Sequence, residues 1–196
     1  MSAAAPYPAF LRLDGKRVLL VGGGPVAARK ARDLARCGAR VKIVAPRVVA
    51  AARRRAERVV ERRFRPRDLD GAALAVCATG DEVVDARVSA LCRRRGIWAN
   101  VVDRPALCDF IVPAVVRRGP LAVAFSSGGA SPFMARRLRR RLQGLVTPED
   151  ARLAAQLGRL RPRLLEMTLA RRRRFLAGIA AASAGAALRA LREDRP

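Results

Sequence analysis

"RVLLVGGGPVAARKARDLARCGARVKIVAP", residues 17–46, is the stretch on which the fold turns. After Arg17 come four apolar residues, and the five together read as a buried strand. Gly22, Gly23 and Gly24 then break the strand. Pro25 opens a helical stretch over residues 25–37, and Gly38 suits its stop. A second apolar strand follows at residues 41–44. Strand, glycine turn, helix and strand in that order begin a parallel βαβ unit.

The turn reads G-x-G-x-x-A, with Ala27 in the third small position. Gly22 lets the chain leave the strand tightly, Gly24 lets a phosphate approach bare backbone, and Ala27 lets the helix pack on the sheet. The helix N-terminus adds free N–H groups and a partial positive charge. This predicts a dinucleotide site with contacts from Gly22, Gly23, Gly24, Pro25 and Val26. The second strand, however, ends in Ala45-Pro46-Arg47, with no acid for a ribose hydroxyl. Main-chain groups near Pro46, or the Arg47 side chain, must meet the ribose. An arginine there also accommodates a 2′-phosphate, so NAD and NADP both remain open at this point.

Outward from this unit the alternation continues. Residues 47–58 read as a helix, 59–64 and 74–78 as strands, 82–95 as a helix ending at Gly96, and 98–102 as another strand. The expected class is α/β, a Rossmann-like doubly wound parallel sheet. The rhythm then changes. Residues 110–116 and 121–125 read as a strand pair across Arg117-Arg118-Gly119-Pro120, and residues 132–146 as a basic helix. Thr147-Pro148-Glu149-Asp150 is a capped helix start, with helix expected to residue 191. The expected organisation is a dinucleotide-binding domain over residues 1–112, a dimerisation segment over 113–146 and a C-terminal helical domain over 147–196. Two isolated strands are a poor place to end a sheet, and a homodimer would complete them.

Composition narrows the chemistry. The chain has 196 residues, no histidine and four cysteines, none in a C-x-x-C pair. No bound metal is expected, and the cysteines read as buried, reduced side chains. Without histidine, proton transfer falls to a carboxylate, lysine, tyrosine or cysteine. No apolar run is long enough to span a membrane, and no secretory pattern opens the chain, so a cytoplasmic location is expected. The net charge of +25 reads either as a polyanionic ligand or as coding bias, because the arginines are spread along the whole chain. Few aromatics are present to stack on bases, which counts against nucleic acid.

A second constellation follows the last βα unit: Asn100-Val101-Val102-Asp103-Arg104-Pro105-Ala106-Leu107-Cys108-Asp109-Phe110. Asp103 stands at the carboxyl end of a buried strand, the edge that lines the ligand crevice of a doubly wound sheet. It reads either as a base or as a loop residue capping the next turn.

Together, "FLRLDGKRVLLVGGGPVAARKA", "NVVDRPALCDFIVPAVV", "PLAVAFSSGGASPFMARRLRRRL" and "RRRRFL" resemble the precorrin-2 dehydrogenase module of siroheme synthase, over roughly residues 6–180. The resemblance implies NAD as the cofactor. It also implies oxidation of precorrin-2, a carboxylate-rich reduced tetrapyrrole, to sirohydrochlorin, with ferrous iron a further substrate in some members. It places the catalytic aspartate at Asp103 and dinucleotide contacts at Pro25, Val26, Pro46, Arg47 and Thr79. Substrate contacts fall at Ser127, Gly128 and Arg104. The sequence departs from the family pattern at Arg104, where an acid or alanine is usual, and at Gly80 and Asp85 within the usual T-D-D-x-x-V-N. A cation directly after Asp103 is expected to weaken it as a base. The competing reading is a Rossmann module that senses NAD and turns nothing over.

Overall fold

The computed structural model describes residues 5–128 and 130–193. The chain divides after Val112 into two compact units, Met1–Val112 and Pro113–Pro196.

The first unit is built on a parallel sheet. Its strands are β1 (Arg17–Val21), β2 (Arg40–Val44), β3 (Arg58–Val60), β4 (Leu74–Cys77) and β5 (Trp98–Val101), in the spatial order β3-β2-β1-β4-β5. Helices cover both faces, so both sides of each central strand are apolar. Val18 and Leu20 of β1 pack with Ala27 and Ala31 of α1 (Pro25–Ala35). Leu19 and Val21 pack on the other face with Val88 and Cys92 of α3 (Glu82–Arg94). The small residues Ala27 and Ala31 are fully buried, which lets α1 lie close to the sheet. The order reverses between β1 and β4, and ligands of open α/β sheets bind at such a reversal, outside the carboxyl ends of the strands.

Two expected elements are shorter than the sequence indicates. The helix expected over residues 47–58 is only α2 (Ala50–Arg53), because Ala52 is its one buried residue and the following arginines offer no apolar stripe to hold further turns. The third strand stops at Val60, where Arg62 turns back to a buried carboxylate, Asp68. Cys77 and Cys92 are buried, but Cys37 and Cys108 are only half-buried.

Asp68 ties this edge of the sheet together. Its Oδ1 accepts from Lys42 Nζ at 3.0 Å and from Arg62 at 2.8 Å, and its Oδ2 accepts from Arg62 and from the Arg65 backbone N–H, each at 2.8 Å. Burial alone would raise its affinity for a proton, but Arg62, the Arg65 N–H and Lys42 together hold it well below the usual carboxylate range. Its contribution to stability is therefore present above the unfolded-state value near pH 4 and is lost as the pH falls below it. Asp68→Asn should cost about 3 kcal/mol at neutral pH, measured by urea denaturation, and should remove that share of the acid sensitivity.

The second unit opens with an antiparallel hairpin, β6 (Ala114–Arg118) and β7 (Leu121–Phe125). Pairing begins at Ala114 and not at Phe110, because Pro113 has no N–H to donate and Phe110 packs into the core of the first unit. Four helices follow: α4 (Pro132–Leu145), α5 (Pro148–Glu166), α6 (Leu169–Ala181) and α7 (Ala184–Glu193). The helical stretch expected to residue 191 is made of three helices, α5 to α7. Thr147 caps α5 in a reciprocal box with Asp150. Thr168 caps α6 and accepts from the Arg171 N–H, and Ser183 accepts from the Ala186 N–H at the start of α7.

Candidate active site

The three glycines differ in what forbids a side chain. Gly22 has φ +118°, and a Cβ there would lie 2.2 Å from the Ala78 carbonyl oxygen. A Cβ on Gly23 would lie 2.0 Å from the Arg47 carbonyl oxygen, so this glycine seats the loop after β2; the Val49 N–H donates to Gly23 O at 2.9 Å in the same contact. A Cβ on Gly24 would meet nothing within 4 Å. The space above Gly24 is open, and no side chain caps the N-terminus of α1. The N–H groups of Val26 and Ala27 precede the first intrahelical bond, from Ala28 to Gly24. A bare backbone, an uncapped helix start and open space above them fit a dinucleotide pyrophosphate.

Asp103 lies at the other end of the same edge. It has φ +61°, the one left-handed non-glycine residue among those described. Aspartate tolerates that conformation better than most residues, at a cost of order 1 kcal/mol. The motif around it holds it there. Asn100 Nδ2 donates to Phe110 O at 2.9 Å, the Val101 N–H donates to Cys108 Sγ at 3.1 Å, and Asp109 Oδ2 accepts from the Ala99 N–H at 2.9 Å. These bonds strap residues 108–110 back onto β5 and fix the intervening turn, leaving the Asp103 carboxylate exposed at its tip. Asp109, the nearest other acid in the motif, is held by Ala99 and lies 3.6 Å from Arg93.

A cleft of about 280 Å³ joins these two features. It is lined by Val26, just past the glycine loop, Ala78 and Gly80 after β4, Val102, Asp103 and Arg104 after β5, and Asp85 of α3. Two carboxylates therefore share one cavity wall system, and Asp85 is only 2% exposed. The Thr79 hydroxyl donates to Asp85 Oδ1 at 2.6 Å, and Arg104 Nε lies 3.9 Å from Asp85 Oδ2. The Arg104 guanidinium is directed at Glu82 and Asp85. Arg104 and Asp85, two departures from the family pattern, are neighbours in space. Lys30, one helical turn beyond Val26, is half-buried; burial and Arg29 hold its ammonium below the usual lysine range, with Asp33, Asp103 and Cys108 pulling it back up.

The structure brings Gly22, Gly23, Gly24, Pro25, Val26, Pro46, Arg47, Thr79, Asp103 and Arg104 to one edge of the first unit. Pro46 and Arg47 are exposed beside the glycine loop, on the β2 side. Ser127 and Gly128 belong to the second unit. There the Ser127 hydroxyl accepts from the Ser131 N–H at 3.0 Å, and Gly128 turns the chain at φ +63° ahead of α4. The sequence reading missed Asp85 as a cleft residue, because an acid in the first turn of a helix normally serves the helix dipole. It also missed Lys30, whose only signal was its spacing of four from Val26. Among the described residues no three His, Cys, Asp or Glu side chains gather to hold a metal.

The family model described as "Putative NAD(P)-binding" matches residues 9–114, and that described as "Sirohaem biosynthesis protein central" matches residues 118–145. The chain belongs to the family described as putative NAD(P)-binding. The siroheme synthase of Pseudomonas paraeruginosa (strain DSM 24068 / PA7) is 44% identical over 164 residues, covering 82% of this chain and 35% of that protein. The siroheme synthase of Azotobacter vinelandii (strain DJ / ATCC BAA-1303) is 47% identical over 161 residues, covering 79% of this chain and 34% of that protein. The chain thus spans about a third of the length of these curated relatives. A solved structure described as "SirC, precorrin-2 dehydrogenase" superposes with a TM-score of 0.72 at 26% identity, over 89% of both chains. The family's glycine loop and the Asp103 motif both fall within the first matched region.

Proposed function

We propose that the chain is a precorrin-2 dehydrogenase that uses NAD as acceptor and yields sirohydrochlorin. The observation that carries this is the Asp103 carboxylate, held on a left-handed turn in the cleft that opens beside the uncapped start of α1. The match to a structure described as a precorrin-2 dehydrogenase supports the choice of substrate. The glycine loop would hold the dinucleotide, which when bound would supply the hydride acceptor for the tetrapyrrole. The protein's own part is to hold the pyrophosphate over Gly24, to exclude water with the apolar walls Val26, Ala78 and Val102, and to take the accompanying proton on Asp103. The Asp103 charge partly offsets the burial that holds the Lys30 ammonium below the usual lysine range. Anaerobic mixing of the protein with NAD and precorrin-2 should form NADH in step with tetrapyrrole oxidation. Binding of NAD without NADH formation would leave a sensing module in place of an enzyme.

The surplus of arginine suits a substrate rich in carboxylates, with Arg104 as its contact on the first unit. Ferrous iron is a further substrate in this reading, with Asp103 also accepting pyrrole N–H protons. The family's chemistry favours the cytoplasm as its location; among the described residues no helix is long and apolar enough to cross a membrane.

A homodimer belongs to the same reading, with the segment over residues 113–146 as its interface. The second unit buries Val116, Leu164, Ala187 and Leu191, while Phe133, Leu145, Leu165 and Leu169 are all more than 60% or at 60% exposed. Of these, Phe133 and Leu145 lie within the 113–146 segment, where a partner would cover them. Light scattering at micromolar concentration should give twice the chain mass, and Leu145→Glu should lower it to one chain.

A further inference from the structure

Asp85 takes no part in the hydride or proton transfer assigned above, yet it is a buried carboxylate in the wall of the same cleft. Helix capping does not explain it. Asp81 already caps α3 by accepting from the Val83 and Val84 N–H groups at 3.0 and 3.1 Å. Asp85 sits a turn further on, with its Oδ1 fixed by the Thr79 hydroxyl at 2.6 Å. Its Oδ2 is 3.9 Å from Arg104 Nε, outside hydrogen-bond distance, because Arg104 is drawn to Glu82 at the surface. The charge of Asp85 is therefore fixed in position, removed from water and incompletely neutralised.

The sheet order says which half of a dinucleotide would meet it. With the pyrophosphate over Gly24, one nucleoside lies toward the loop after β2, at Pro46 and Arg47, and the other lies in the cleft over β4 and β5. The cleft half is the one beside Asp103, so it holds the reacting ring. That ring is a cation when oxidised and neutral when reduced.

We propose that Asp85 makes the cleft select the oxidised, cationic nicotinamide over the reduced, neutral one. The inference rests on the dinucleotide reading above. Interaction with a fixed, poorly solvated carboxylate is a charge–charge attraction for one form and only a charge–dipole contact for the other. Arg104 moderates the effect, and Asp103, exposed to water, adds little to it. The consequence is tight binding of the acceptor and ready release of the reduced product.

The test is separate titration of the protein with NAD⁺ and NADH by calorimetry, with no tetrapyrrole present. Asp85→Asn keeps the shape and the acceptor for Thr79. It should weaken NAD⁺ by about tenfold, less than the roughly 100-fold that a full charge about 6 Å away would give at an effective dielectric near 20, because Arg104 moderates it. NADH affinity should change less than about twofold, which also shows that the variant is folded. Arg104→Gln, which removes the moderating cation, should move the ratio the other way, toward tighter NAD⁺. Equal shifts of both forms in Asp85→Asn would overturn the assignment. Should that variant not fold, an unchanged ratio in Arg104→Gln would overturn it. Failure of the unsubstituted protein to bind either form would overturn the dinucleotide reading itself, and this inference with it.

Discussion

Asp103→Asn is expected to lower precorrin-2-dependent NADH formation by roughly 10²- to 10⁴-fold, the range for losing a positioned base. The size follows from what else the cleft contains. The chain has no histidine. The cleft holds two carboxylates, Asp85 and Asp103, and Asp85 is buried against Thr79. Asp109 is committed to the Ala99 N–H. Asparagine is the informative replacement because it accepts the +61° φ of this position, whereas alanine would add backbone strain of about 1 kcal/mol to the loss of the carboxylate. NAD affinity should stay within about twofold, since the glycine loop is untouched. If iron insertion uses the same base, it should fall in parallel, and retained insertion would separate the two reactions.

The glycine loop supplies the second large effect, in two substitutions of opposite character. Gly24→Asp should leave the protein folded. The residue sits at the N-cap of α1 with φ −80°, and its Cβ would point into open space. Aspartate is a favoured N-cap, so thermal stability should hold or rise slightly. Dinucleotide binding should fall at least about 100-fold, because a carboxylate would stand in the path of the pyrophosphate. Gly22→Ala should do the reverse in kind. Its Cβ would collide with the Ala78 carbonyl at 2.2 Å, in a backbone conformation that alanine avoids, and the cost should be about 3 kcal/mol or more. Calorimetric titration and thermal denaturation of the two variants separate a binding surface from a folding constraint. Unchanged NAD affinity in Gly24→Asp would make the loop a turn and nothing more.

The parallel sheet was readable because buried strands of Val, Leu and Ile alternate with helices that begin and end on Pro and Gly, and the pairing needs no side chain that the pattern does not display. The limits of α2 were not readable. Its arginines and alanines are good helix formers, and only the lack of a buried stripe beyond Ala52 stops it. Within N-V-V-D-R-P-A-L-C-D-F, the sequence pointed to Asp103 but not to what Asn100, Cys108 and Asp109 do. Their role is to strap the turn, and it depends on bonds between residues 8–10 apart that no periodicity reveals. The pairing of Arg104 with Glu82 and Asp85 joins positions about 20 residues apart on separate elements. A reading along the chain therefore assigned Arg104 to its neighbour Asp103. The breaks among α5, α6 and α7 were hidden because Thr168 and Ser183 are ordinary residues until their hydroxyls are seen to cap.

The central claim is that one cleft gathers the reacting ring of the dinucleotide and the Asp103 carboxylate. A crystal structure of the protein with NAD bound tests it most directly. The account predicts the pyrophosphate over Gly24 and the adenosine toward Pro46 and Arg47. The nicotinamide should lie in the cleft between Val26, Ala78 and Gly80, with Asp103 across a gap that a tetrapyrrole carbon can fill. A dinucleotide bound the other way round, or with its nicotinamide outside the cleft and away from Asp103, would contradict it.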